Sequence, residues 1–150
     1  MTEPLAEAIL VVFDTNALLP LLVGKTPRAL FLQQAWQDER FVLAVTLPVV
    51  EELTRVLHYP DVRCKLTLTT SDIDEALTNL RRRACNLPAL YEGVTAVHDD
   101  LSDNVFLACA LEAGADYLVT RDAHLLSLKY YRGTQIISLD QFARLLGWIG

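Results

Sequence analysis

Four acidic residues, Asp14, Glu52, Asp103 and Asp122, form the pattern in this 150-residue chain most able to do chemistry. Asp14 directly follows the apolar run Ile9–Phe13, Asp122 stands just past Tyr117–Thr120, and Asp103 opens a helical stretch. Taken singly, each has an ordinary structural role open to it: Asp14 a turn, Asp103 and Asp122 helix caps. Taken together they read differently. Like charges gathered in one crevice repel unless a cation neutralises them, and oxygen ligands with no His or Cys beside them select a hard ion, Mg²⁺ or Mn²⁺.

The fourth acid is chosen by periodicity. Glu51 and Glu52 project about 100° apart on a helix, and Val49, Val50, Leu53, Val56 and Leu57 mark its buried side. Glu52 borders that side. Glu51 points away from it, with Arg55 at i+4 as an exposed ion-pair partner. Asn16 and Thr120, each two residues from an acid, could orient Asp14 and Asp122 by hydrogen bonding, and turn formation explains Asn16 equally well. Arg121 could contact phosphate or only neutralise Asp122. Lys129-Tyr130-Tyr131-Arg132 could hold an RNA strand or form a half-buried loop. Arg81-Arg82-Arg83 reads as a solvated helix end.

The elements that must position these residues alternate between strand and helix. Ile9–Phe13, Phe41–Val45, Val94–Val97, Tyr117–Thr120 and Gln135–Ile137 have strand character. Helices are expected over Arg28–Asp38, Pro48–Leu57, Ser71–Leu87, Val105–Leu111 and Ala123–Leu128, with a last one from Asp140 to Gly147. Gly114 supplies a stop for the all-apolar Val105–Leu111. Such alternation predicts an α/β fold with a parallel sheet covered on both faces, in which function gathers beyond the carboxyl ends of the strands. Residues 1–150 are expected to form one domain.

Composition narrows the classes. At 52% hydrophobic and 21% charged residues the chain is a folding sequence, not a disordered one. No uncharged stretch is longer than Phe41–Val50, which is too short to cross a membrane, and the start lacks a secretory pattern, so a cytoplasmic protein is expected. Cys64, Cys85 and Cys109 show no metal-binding or redox spacing and are expected to be reduced and mostly buried; a zinc site is not expected. The net charge of -6 argues against a nucleic-acid ligand, unless bound cations reverse the local sign of the field.

The chain resembles the PIN-domain family, in particular its bacterial and archaeal toxin components of toxin–antitoxin pairs. The resemblance rests on Val12-Phe13-Asp14-Thr15-Asn16, Val50-Glu51-Glu52-Leu53, Asp103-Asn104 before Phe106-Leu107-Ala108, Ala113 to Thr120, and Asp122 with Leu125-Leu126, in that order. It implies a three-layer α/β/α sandwich around a parallel sheet, and an endoribonuclease using one or two Mg²⁺ or Mn²⁺ ions. Asp14, Glu52, Asp103 and Asp122 would take the family's acidic positions, and Asn16 and Thr120 its supporting polar ones. A homodimer and an antitoxin protein partner are also implied. Arg121 departs from the small residue expected before the last Asp, and Asp61–Leu90 matches only in being helical.

Two other phosphate chemistries fit less well. Asn16 replaces the second Asp of an aspartyl-nucleophile phosphatase, and Ser138 and Leu139 stand where a phosphoacceptor receiver would place its Lys. The rival from another class is a PIN fold that binds RNA or a protein without cutting.

Overall fold

The structure, a computed structural model, describes residues 8–91 and 101–150, with 101–103 described through their backbone only. The elements in chain order are β1 (Ile9–Phe13), α1 (Thr15–Val23), α2 (Pro27–Gln37), β2 (Phe41–Thr46), α3 (Leu47–Leu57), α4 (Pro60–Leu66) and α5 (Thr70–Arg83). Then follow β3 (Cys85–Leu87), α6 (Leu101–Ala113), β4 (Tyr117–Thr120), α7 (Ala123–Leu128), β5 (Tyr130–Tyr131), β6 (Thr134–Ser138) and α8 (Leu139–Leu145). The strands form one sheet in the order β3-β2-β1-β4-β6-β5, parallel except for β5.

Three consecutive residues of β1 show why the sheet needs a layer on each side. Val11, Val12 and Phe13 are exposed by 0%, 0% and 1%, although neighbouring side chains on a strand point to opposite faces. Both faces are therefore covered. On one of them Phe142 of α8 meets Phe13 and Phe41 edge-on, at ring-centre distances of 5.5 and 5.1 Å, while Phe13 and Phe41 stack on each other. Helix α6 packs along β1, β2 and β4, burying Phe106, Leu107, Cys109 and Ala110. The result is the expected three-layer α/β/α sandwich. Gly114 ends α6 in the left-handed region, where a side chain would be strained.

Several elements differ from the sequence expectation. Helix α1 has no amphipathic stripe, and Pro20 inside it removes the backbone donor that would reach the carbonyl of Asn16. Helix α5 stops at Arg83 instead of Leu87; Cys85–Leu87 pairs with β2 as an edge strand, and the Asn86 amide donates to the carbonyls of Arg81 and Ala84 at the helix end. Helix α8 begins at Leu139, capped by Ser138 with Gln141 reciprocating, and ends at Leu145. Tyr130-Tyr131 is a strand, joined to β6 by Arg132 and Gly133, both at positive φ as a tight hairpin turn requires. The third strand expected at Val94–Val97 lies outside the described residues. Cys64 and Cys85 are exposed and only Cys109 is buried; burial pushes its thiol up to about 12. No helix among the described residues is long and apolar enough to cross a membrane.

The aromatic cluster fixes β1 and β2 against α8. Phe142→Ala should cost about 3–5 kcal/mol of stability, read from the denaturant midpoint of the purified protein. A loss below about 1 kcal/mol would mean that the cluster does not anchor β1.

Candidate active site

The chain order places the site. After β1, the strands β2 and β3 are laid down on one side of it, and the chain then returns through α6 to place β4 on the other. Open parallel sheets place their ligand crevice at such a reversal, beyond the carboxyl ends of the strands that flank it, here β1 and β4. The register Val11↔Tyr117, Val12↔Leu118 and Phe13↔Val119 brings Asp14 level with Thr120, and the Asp14 amide continues the ladder by donating to the Val119 carbonyl at 3.0 Å.

Asp14 is only 3% exposed. It caps α1, accepting at Oδ1 from the Ala17 amide at 2.8 Å, and its Oδ2 accepts a short hydrogen bond from the Thr120 hydroxyl. That hydroxyl in turn accepts from the Asp122 amide at 2.9 Å. Thr120 thus ties the two acids together across the boundary between β1 and β4. Asp122 is half-buried and caps α7, with Oδ1 taking the amides of His124 at 2.7 Å and Leu125 at 3.2 Å. The cap foreseen for Asp122 is realised, and Asp14, expected in a turn, caps a helix instead. Neither uses up the carboxylate, which offers about four acceptor sites.

The electrostatics of Asp14 are unfavourable to its charge. Burial pushes its carboxyl above the ordinary value, and the negative charge of Asp122 adds to that push. Hydrogen bonds from Thr120 and from the Ala17 and Arg121 backbones pull in the opposite direction without cancelling it. Next to Asp14, the Thr15 hydroxyl is buried without a hydrogen-bond partner among the described residues, a cost that folding does not recover on its own. The sequence reading passed over Thr15; its place directly after a strand-end Asp was the available signal.

The remaining expected residues are placed differently. Asn16 is exposed and makes no hydrogen bond to Asp14 among the described residues. Glu52 lies at the border of the buried face of α3 while Glu51 is exposed. Arg55 pairs with Glu52, however, and not with Glu51 as expected. An arginine in this position can reach acids three or four residues back, and the choice falls to the nearer turn. Asp103 belongs to the first turn of α6, beside the buried Asn104, and its side chain lies outside the described residues. Among the described residues no three acidic, His or Cys side chains stand together as a cation cage.

The donors that are present fit a hard divalent cation. They are carboxylate and hydroxyl oxygens, they include a carboxylate whose charge is disfavoured by burial and also by a second acid and a buried hydroxyl without a partner among the described residues, and a Mg²⁺-type ion needs only one or two protein carboxylates alongside its waters.

Comparison with known families matches residues 10–124 to the family described as PIN domain. The span runs from β1 into α7 and includes Asp14, Glu52, Asp103 and Asp122. No curated protein matches the chain.

The raised pKa of Asp14 gives a sign to the pH dependence. A folded carboxyl titrating above its unfolded value costs stability once ionised; the cost is full above the folded pKa and disappears as the pH falls through it. In metal-free buffer Asp14→Asn should therefore melt above the wild type at neutral pH, and the gap should close on acidification. Thermal melts across pH check this; a gap that widens towards acid would reverse the assignment.

Proposed function

As the chain belongs to the PIN-domain family, a family of nucleases, we propose that it is a metal-dependent endoribonuclease that hydrolyses RNA phosphodiester bonds, and that it is the toxin of a toxin–antitoxin pair. The observation that carries this reading is the Asp14–Thr120–Asp122 arrangement. It holds a carboxylate out of water, beside a second acid, where the chain order opens a crevice. A protein with only packing to satisfy gains nothing from such a pair.

In this reading Asp14, Asp103 and Asp122 would hold Mg²⁺ or Mn²⁺, with Glu52 as a further ligand or as the group that positions the attacking water. When bound, such an ion lowers the pKa of a water and polarises the scissile phosphate. The protein's part is to pre-set the ligands. Thr120 fixes the rotation of Asp14, the two α7 amides fix Asp122 through Oδ1, and Asp122 Oδ2 keeps no hydrogen bond among the described residues. Products would carry a 5′-phosphate and a 3′-hydroxyl.

The pairing of Glu52 with Arg55 is the one observation that favours a PIN-fold protein that binds RNA or a protein without cutting. It weighs little. The Arg55 side chain is 60% exposed, and a pair with so exposed a partner is worth at most about 1 kcal/mol, so Arg55 can release the acid cheaply. A homodimer and an antitoxin that blocks the crevice belong to the same proposal.

Purified protein should cut a mixed RNA pool with Mn²⁺ or Mg²⁺ and not with EDTA, and Asp14→Asn should abolish cutting while keeping the fold. Thr120→Val should lower the rate by roughly 10–100-fold, the usual loss when the partner orienting a metal ligand is removed. Cutting that persists in EDTA or in Asp14→Asn would sink the proposal.

A further inference from the structure

A groove of about 620 Å³ adjoins the carboxylates, since its lining includes Asn16, two residues after Asp14, and Arg121, the residue before Asp122. Its charge is unlike that of the whole chain. Among the described residues Lys25, Arg28, Lys65 and Arg121 line it and no acid does, in a protein of net charge -6.

The shape follows from α1. Asn16, Leu19, Pro20 and Val23 recur at the spacing of one helix face and all line the groove, so it follows α1 for roughly 10 Å. Lys25 follows at the turn into α2, and Lys65 stands near the end of α4. Arg28 is already paired with Asp140 at 3.4 Å and the Lys25 charge also acts on Asp72, whereas Lys65 and Arg121 make no ion pair among the described residues. An apolar floor under a row of cations suits a chain of phosphates with sugars and bases resting below them.

We infer that this groove is the phosphate track of the RNA strand on one side of the scissile bond, with Lys25, Lys65 and Arg121 as its binding residues. The choice of RNA as ligand rests on the nuclease reading. The track also accounts for Arg121 directly before Asp122. A cation there holds the strand where it enters the carboxylate crevice.

The test measures binding of a short labelled single-stranded RNA to the Asp14→Asn chain in EDTA, over a range of salt concentrations, so that no strand is cut. Each phosphate contact to a single strand contributes about 0.7 to the slope of log affinity against log salt, so adding Lys25→Gln and Lys65→Gln should lower it by about 1.4. Arg81→Gln with Arg83→Gln is the control. These remove the same charge at the end of α5, outside the groove lining, and should leave the slope unchanged. In the otherwise wild-type chain Lys25→Gln with Lys65→Gln should raise KM for RNA cleavage and leave kcat nearly unaltered.

A wild-type chain that cuts RNA, with a slope indifferent to Lys25 and Lys65 or equally sensitive to the control, would overturn the track and leave the nuclease standing. An acidic oligopeptide displacing RNA more strongly than an oligonucleotide of equal charge would also overturn it, in favour of a protein ligand. Groove-dependent RNA binding by a wild-type chain that never cuts would sustain the track and remove the nuclease reading.

Discussion

The pairing of β1 with β4 is the constraint on which the site depends. β1 lies inside the sheet, with β2 on one side and β4 on the other, and its register with β4 leaves Asp14 and Thr120 side by side at the carboxyl edge. Slipping that register by one residue would turn every side chain of β4 to the opposite face. The Thr120 hydroxyl would leave Asp14, and Leu118 and Val119 would exchange faces. The packing that makes the slip costly is the same packing that sets the distance between the two acids.

This scaffold holds a charge under poor conditions. A buried carboxylate with another acid nearby is destabilised by lost hydration and by repulsion, and the hydrogen bonds it accepts offset only part of that. The helix caps at Asp14 and Asp122 explain why the residues are Asp at those positions. They do not explain why two caps share one threonine, or why the Thr15 hydroxyl beside them is buried without a partner among the described residues. On the proposed reading a cation ligated from the open side would answer the charge, and the cationic groove along α1 would supply attraction for a polyanion that the net charge of the chain does not.

Much of the arrangement was legible because it is written in short, strong signals. The run Ile9–Phe13 followed by Asp14, and Tyr117–Thr120 followed by Asp122, announce strands ending in acids. Periodicity around Val49, Leu53 and Val56 separated the half-buried Glu52 from the exposed Glu51. Helix α1 was hidden because Leu18-Leu19-Pro20-Leu21-Leu22 has no polar face and carries a proline. Strand β3 was hidden because three residues, two of them exposed, have no period to read. The partner of Arg55 could not be settled by spacing, since three and four residues are both allowed. The groove was illegible for another reason: Lys25, Lys65 and Arg121 are far apart in the chain, and only the packing of α1 against its neighbours assembles them.

The central claim is that Asp14 and Asp122, yoked by Thr120, hold a divalent cation. Calorimetric titration of the metal-free protein with Mn²⁺ tests it most directly. The account predicts saturable binding that is lost in Asp14→Asn, weakened in Asp122→Asn, and weakened roughly 10–100-fold in Thr120→Val. Binding of undiminished affinity by a correctly folded Asp14→Asn protein would contradict it.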